Sequence, residues 1–237
     1  MKGIVLAGGI GTRLLPLTRA VNKHLLPVGK EPMIYNPLRK LVEAGIDDIL
    51  VVTSSDHMGD IVSALGSGRV LGCSLTYKVQ DEAKGIADAL RLAEGFAQND
   101  KMVVILGDNV TTGSIKPYVD IFRIQESGAR VLLKAVDDPT RYGVAALDET
   151  HIIDVEEKPK VPASRYAVIG YYMFDRDVFD IIRTVEPSAR GEYEITSVLK
   201  GYIARGKLFH DVLDADWVDA GTFESYALAN RMFSGGE

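Results

Sequence analysis

Apolar residues in this chain fall into short runs joined by polar and glycine-rich segments, and the rhythm of those runs changes once. Gly3–Ala7 is a continuous apolar run, the pattern of a strand buried on both faces. Met33, Leu38, Leu41 and Val42 recur at helical spacing within Pro32–Ala44, which Gly45 ends. Ile49–Thr53 predicts a second buried strand, Gly59–Leu65 a helix and Ser74–Val79 a third strand. An alanine- and leucine-rich helix is expected over Gly85–Ala97. A fourth strand, Met102–Leu106, runs into Gly107-Asp108-Asn109. Strands alternating with helices imply crossover connections and a mainly parallel sheet. After residue 130 the strands Arg130–Val136, Gly143–Leu147 and Ile152–Glu156 follow one another with short links, and Tyr166–Phe174 is longer. Helices are expected at Arg176–Val185 and Glu194–Arg205, short strands at Phe209–Val212 and Asp216–Val218, and a last helix at Phe223–Phe233. The tail Ser234–Glu237 is expected to fray. The fold class is α/β: a Rossmann-like, mainly parallel central sheet with helices on both faces, plus a smaller β-rich part. No repeat, low-complexity tract or linker divides the chain. The expectation is one domain, 1–237, with halves of about 1–110 and about 111–237.

Composition narrows the class. Hydrophobic residues are 46% of the 237 and charged residues 25%, so a globular chain can bury a sizeable core without staples. The net charge of −6 argues against non-specific nucleic-acid binding but leaves room for a local basic pocket. Cys73 is the only cysteine, which rules out an internal disulfide and suits a reducing compartment. It reads as a small apolar residue beside the strand Ser74–Val79 rather than a reactive thiol. The run Ile4–Ala7 is too short for a signal peptide, and no stretch has the length of a membrane span. The expected setting is cytoplasmic, with neither membrane nor nucleic acid as partner.

Candidate chemistry begins where the first strand ends. Gly8-Gly9-Ile10-Gly11-Thr12-Arg13-Leu14 follows it directly. Glycines after a strand let the backbone turn sharply, and their bare N–H groups can cradle phosphate oxygens. A dinucleotide fingerprint would need glycine where Leu14 stands, and a P-loop would end in Gly-Lys-Ser/Thr, which is absent. The loop is a phosphate or base cradle of another kind, unless it is a plain glycine turn. Arg13 closes it and Lys23 follows ten residues later. Fixed cations at that place would stabilise charge developing on a reacting phosphate. Asp108 follows the fourth strand, at the end where parallel sheets place ligands. Taken alone it reads at least as well as a turn residue or helix cap.

Larger blocks add specificity. GGIGTRLLPLT and NKHLLPVGKEPMIYNPL are followed, in order, by QDEAKGIA from Gln80, LGDN from Leu106, RYGV from Arg141, EEKP from Glu156, RGEYEIT from Arg190 and WVDAGT from Trp217. Over nearly its whole length the chain resembles the sugar nucleotidyltransferases, in particular their glucose-1-phosphate thymidylyltransferase branch. The resemblance implies transfer of a thymidylyl group from dTTP to glucose 1-phosphate, giving dTDP-glucose and pyrophosphate, with Mg²⁺ as cofactor. UTP is the alternative nucleotide.

The same resemblance assigns roles. Leu6, Gly8, Gly9, Gly11, Thr12, Arg13, Gln80, Gly85 and Asp108 would bind the nucleotide, Gln80 and Gly85 at the pyrimidine base. Tyr142, Gly143, Glu157, Lys158, Gly170 and Glu192 would bind the sugar phosphate. Glu157 would accept from sugar hydroxyls, Lys158 would hold the phosphate and Gly143 would let the backbone approach. Asp108 and Asp219 would hold the metal. Arg13, Lys23 and Lys158 would be catalytic. The first half becomes nucleotide-binding and the second sugar-binding.

No covalent intermediate is required, since a phosphate oxygen is already anionic and catalysis can come from positioning and charge stabilisation. The competing classes are a Rossmann oxidoreductase, disfavoured by Leu14, and a catalytically silent relative that only binds nucleotide or sugar. Retention of Arg13, Lys23, Asp108, Lys158 and Asp219 together favours an enzyme. Two positions and one block depart from the family's usual pattern: His24 stands where glutamine is common, Ala220 where threonine is common, and QDEAKGIA where a proline-rich version is common. A homo-oligomer is compatible with the chain, though no segment marks an interface. Longer members carry helices after the WxDxGT block that build an inter-subunit inhibitory site. Here fifteen residues follow Thr222, so the expectation is activity with weak or no feedback inhibition through that site.

Overall fold

The computed structural model describes residues 1–234. Gly235–Glu237, most of the tail expected to fray, lie outside the described residues. The chain forms two compact units that interleave along the sequence. The first comprises Lys2–Ala83, Ile105–Pro117 and the segment from Ala215 onward. The second comprises Met1, Lys84–Val104 and Tyr118–Asp214.

In chain order the elements begin with strands β1 (Lys2–Ala7), β2 (Pro27–Val28) and β3 (Glu31–Pro32) and helix α1 (Tyr35–Glu43). Strand β4 (Asp48–Ser54), helix α2 (Met58–Leu65) and strand β5 (Ser74–Gln80) follow. Helices α3 (Ile86–Arg91) and α4 (Glu94–Ala97) lead to β6 (Met102–Leu106), β7 (Asn109–Thr111) and α5 (Lys116–Ile124). Then come β8 (Ala129–Ala135), β9 (Gly143–Asp148), β10 (His151–Glu157) and β11 (Tyr166–Phe174). The chain continues through α6 (Val178–Ile182), α7 (Ile195–Ile203), β12 (Leu208–Val212), β13 (Trp217–Asp219) and α8 (Phe223–Phe233).

In the first unit β1, β4 and β5 are parallel neighbours, with β4 in the middle. The end of β6 lies beside β1, where Gly107 N–H donates to Leu6 O at 2.8 Å. Ile4, Val5, Ile49, Leu50 and Val51 are fully buried, as continuous apolar strands should be. A separate two-stranded ladder joins β7 to β13, so the segment after Ala215 folds with the beginning of the chain. Val110, Val218, Ala220 and Ala229 pack there with Leu14, Leu26, Val28 and Met33. Thr222 starts α8 with a reciprocal cap shared with Ser225.

The second unit is mostly antiparallel. β11 pairs antiparallel with both β8 and β9, and β9 with β10. β12 joins β8 in parallel. The α/β reading holds: parallel strands alternate with helices early, and a β-rich part follows. Several element bounds differ from expectation. The helix expected over Gly85–Ala97 breaks into α3 and α4, because Leu92 and Ala93 N–H groups bond three residues back rather than four. Pro32 belongs to β3, not to the following helix. The segments Arg176–Val185 and Glu194–Arg205 are helical over the shorter spans α6 and α7. Helix α5 and strand β7 had no counterpart in the sequence pattern.

Candidate functional site

The two units each gather one group of the expected site residues. In the first unit β1 delivers the chain into the glycine loop. Gly11 takes φ 73°, and its carbonyl accepts from Leu14 N–H and from Thr18 Oγ1 at 2.9 and 2.8 Å. That left-handed turn lifts Thr12 and Arg13 to the surface and buries Leu14. The loop wraps a tight site. A Cβ at Gly9 would fall 2.9 Å from Lys23 Nζ, and one at Gly8 would fall 3.1 Å from Gln80 Oε1. Gln80 is buried at the end of β5. Leu6, also buried, lends its carbonyl to Gly107.

Lys23 sits on a short helical turn capped by Asn22, and its Nζ lies 2.6 Å from Asp108 Oδ2. Burial alone would oppose ionisation of Asp108. The Lys23 ammonium, with help from the Asn109 amide, outweighs it and holds the carboxyl below the usual carboxylate range. His24 is fully enclosed, and its Nδ1 lies 2.8 Å from Asn22 Oδ1. Burial first, then the neighbouring Lys23 charge, push its pKa down to about 3, so the ring is neutral at pH 7. Gln at this position would also be neutral, so the departure from the family pattern preserves charge.

Asp219 is brought to this place by the β7–β13 ladder. It stands opposite Asn109, and Ala220 N–H donates to Asp108 O at 2.8 Å. Gly221 comes next: a Cβ there would meet Arg13 Nη2 at 3.1 Å and Asp108 Oδ2 at 3.7 Å. Loop, two cations, the Asp108 carboxylate and the backbone of Asp219 therefore come together from four stretches of sequence. Among the described residues, no three His, Cys, Asp or Glu side chains gather to hold a metal by themselves. Asp108 and Asp219 offer oxygen donors with one carboxyl firmly ionised. That donor set fits a hard divalent cation completed by phosphate oxygens and water.

The second unit holds the other group. Glu157 ends β10 opposite Gly143 of β9, and Lys158 N–H donates to Tyr142 O at 2.9 Å. Lys158 carries φ 46°, a left-handed conformation unusual for a residue with a side chain. Its Nζ lies 3.5 Å from Glu157 Oε1. Burial raises the Glu157 carboxyl above its usual range, opposed by Lys158 and Arg190 and reinforced by Glu194. Arg190 forks across Glu194 at 2.9 Å and Glu192 at 2.8 Å, and reaches toward Glu157 at 3.8 Å. A Cβ at Gly143 would fall 2.8 Å from Thr196 Cγ2, so this glycine also serves packing against α7. Gly170 lies buried within β11.

Gly85 belongs to the second unit. With φ 103° and a would-be Cβ 2.6 Å from Tyr193 O, it admits no side chain. Lys84 O and Ala87 N–H clip the Tyr193 backbone on either side of it, at 2.7 and 3.1 Å. Sequence reasoning gave no role to Asn109, Trp217, Asn22 or Arg190, although all four lie inside the quoted blocks.

A glycine loop packed against an ion-paired lysine and aspartate, at the end of parallel strands flanked by helices, defines an α/β protein with a charged site at its sheet end. The chain belongs to the nucleotidyl transferase family, whose sequence model matches residues 2–234. It is 42% identical over 233 residues to the glucose-1-phosphate thymidylyltransferase of Mycolicibacterium smegmatis, covering 95% of this chain and 79% of that one. It is 42% identical to the enzyme of the same name from Neisseria meningitidis over 229 residues, 95% and 80% of the two chains. Among solved structures it resembles a candidate glucose-1-phosphate thymidylyltransferase from Bacillus anthracis in complex with a sucrose. That match has TM-score 0.96, 53% identity, and covers 100% of this chain and 96% of that one. A UDP-glucose pyrophosphorylase complexed with UDP-glucose matches at TM-score 0.86 and 26% identity, over 98% and 97% of the chains.

Proposed function

We propose that this protein transfers a thymidylyl group from dTTP to glucose 1-phosphate, releasing pyrophosphate and forming dTDP-glucose. The observation that carries the reading is the Lys23–Asp108 pair held against the glycine loop, with Asp219 arriving beside Asp108 through the β7–β13 ladder. The names of relatives 41–43% identical over nearly the whole chain supply the substrates.

In this reading the backbone of Gly8, Gly9 and Gly11, with Thr12, wraps the triphosphate. Leu6, Gln80 and Gly85 define the base site. Arg13 and Lys23 stabilise charge on the α-phosphate as the reaction proceeds. Tyr142, Gly143, Glu157, Gly170 and Glu192 seat the sugar, and Lys158 orients its phosphate. An oxygen of that phosphate attacks the α-phosphorus. The bond from α-phosphorus to the bridging oxygen breaks, and pyrophosphate leaves with the electron pair. Mg²⁺, held by Asp108 and Asp219, would neutralise triphosphate charge and favour in-line geometry. The chain acts as one functional domain, its first part serving the nucleotide and its second the sugar, in the cytoplasm.

UTP is the second reading, favoured by the likeness to UDP-glucose pyrophosphorylase, whose identity of 26% is about half that of the Bacillus anthracis neighbour. The test is a panel of dTTP, UTP, ATP and GTP against glucose, galactose and mannose 1-phosphates, with products separated by liquid chromatography. The highest kcat/KM is expected for dTTP with glucose 1-phosphate. A preference for UTP would replace the nucleotide assignment, and no nucleotide sugar from any pair would refute the activity.

A further inference from the structure

Two side chains outside the assigned set hold Asp108 in place. Trp217 Nε1 lies 2.8 Å from Asn109 Oδ1, and Asn109 Nδ2 lies 3.0 Å from Asp108 Oδ1. The chemistry of the groups fixes every direction in this chain. An indole N–H can only donate, so it must meet the amide oxygen of Asn109. The amide NH₂ then faces Asp108, and an ionised carboxylate can only accept. Asn109 is 2% exposed, so water cannot readily substitute for either partner.

The backbone beneath is equally constrained. Trp217 stands opposite Thr111 and Asp219 opposite Asn109 in the β7–β13 ladder. Asn36 clamps Thr111 through its N–H and its carbonyl, both at 3.1 Å, and Thr111 Oγ1 donates to Asp216 O at 2.7 Å. Lys23 engages the second oxygen of Asp108. The terminal torsion of an aspartate is intrinsically broad. With one oxygen on Asn109 and the other on Lys23, the carboxylate plane is set before any ligand arrives.

We propose that Asn109 and Trp217 are positioning residues: a relay in which the Trp217 indole orients the Asn109 amide, and Asn109 orients the Asp108 carboxylate for a divalent metal. The inference rests on the reading of Asp108 as a metal ligand and deepens it. Partners that orient a ligating side chain typically change metal affinity by about 10–100-fold when removed. Because Trp217 acts through Asn109, its contribution disappears once Asn109 is gone.

The experiment titrates Mn²⁺ into metal-free protein and reads free Mn²⁺ by electron paramagnetic resonance, with no substrate present. The variants are Asn109→Ala, Trp217→Phe, their double and Asp108→Asn, each checked for folding by circular dichroism. Asn109→Ser replaces Asn109→Ala if the latter does not fold. Both single variants should weaken Mn²⁺ binding, Asn109→Ala by about tenfold or more, and the double should bind no more weakly than Asn109→Ala. Trp217 is the only tryptophan, so in Asn109→Ala its emission should also shift as the indole loses its partner. Mn²⁺ affinity that depends on Asp108 but is unchanged in folded Asn109→Ala overturns the relay alone, as do additive effects in the double. Wild-type protein without Asp108-dependent Mn²⁺ binding overturns the metal reading, and the relay with it.

Discussion

The ammonium of Lys23 lies 2.6 Å from Oδ2 of Asp108, with only 11% and 16% of the two side chains exposed. A pair this enclosed holds each charge in place only while the other is present. Lys23→Met should therefore leave a buried carboxylate uncompensated and cost on the order of 3 kcal/mol. Adding Asp108→Asn to that variant should recover much of the loss, although both remain inactive. Urea unfolding of the two single variants and the double gives the coupling directly. The sign with pH follows from Asp108, whose folded pKa lies below its unfolded value. Its stabilisation is present at neutral pH and is lost as pH falls.

His24 adds to this pH dependence in the same direction, as a base kept neutral rather than an acid kept charged. Its pKa is about 3 when folded against an ordinary 6.5. Between those values the unfolded chain binds a proton that the folded one refuses, so stability falls as pH drops from about 6.5 toward 3. At pH 5.0 the loss relative to pH 7.5 should be about 2 kcal/mol from this residue. His24→Gln does not titrate and should lose that much less over the same interval. Chemical denaturation of both proteins at the two pH values checks this; equal losses would contradict the buried neutral imidazole.

Lys158 combines a left-handed backbone with a proposed role in holding the sugar phosphate. Glycine adopts that conformation without strain, whereas alanine, like lysine, adopts it at a cost. Lys158→Gly should thus be more stable than Lys158→Ala by about 1 kcal/mol. Both should raise the KM for glucose 1-phosphate to a similar extent and leave the KM for dTTP nearly unchanged. Thermal melts and steady-state kinetics separate the two effects. Unchanged sugar phosphate kinetics in both variants would remove Lys158 from the site.

The residues most legible in the sequence are those whose environment is local. Val103, Val104 and Ile105 are fully buried, and their unbroken apolar run was enough to place β6. Gly8 to Gly11 announced a turn that the strand before it made necessary. Helix α5 was not legible, because its end is secured from a distance: Lys101 Nζ donates to the carbonyls of Phe122 and Arg123. The ladder between β7 and β13 was equally invisible, since three-residue strands over a hundred residues apart carry no pattern of their own. That ladder sets Asp219 beside Asp108. The family blocks could nominate both aspartates, but only the fold supplies the Trp217 and Asn109 contacts.

The most direct measurement is turnover of folded Asp108→Asn and Asp219→Asn proteins at saturating dTTP, glucose 1-phosphate and Mg²⁺, followed by pyrophosphate release. Each variant replaces a carboxylate by a neutral amide of nearly the same shape, so packing is little changed and a negative charge for the metal is lost. The account predicts that wild-type protein turns over and that each variant is slower by about a hundredfold or more. Near wild-type turnover in either variant would contradict a reaction centre built on these two carboxylates.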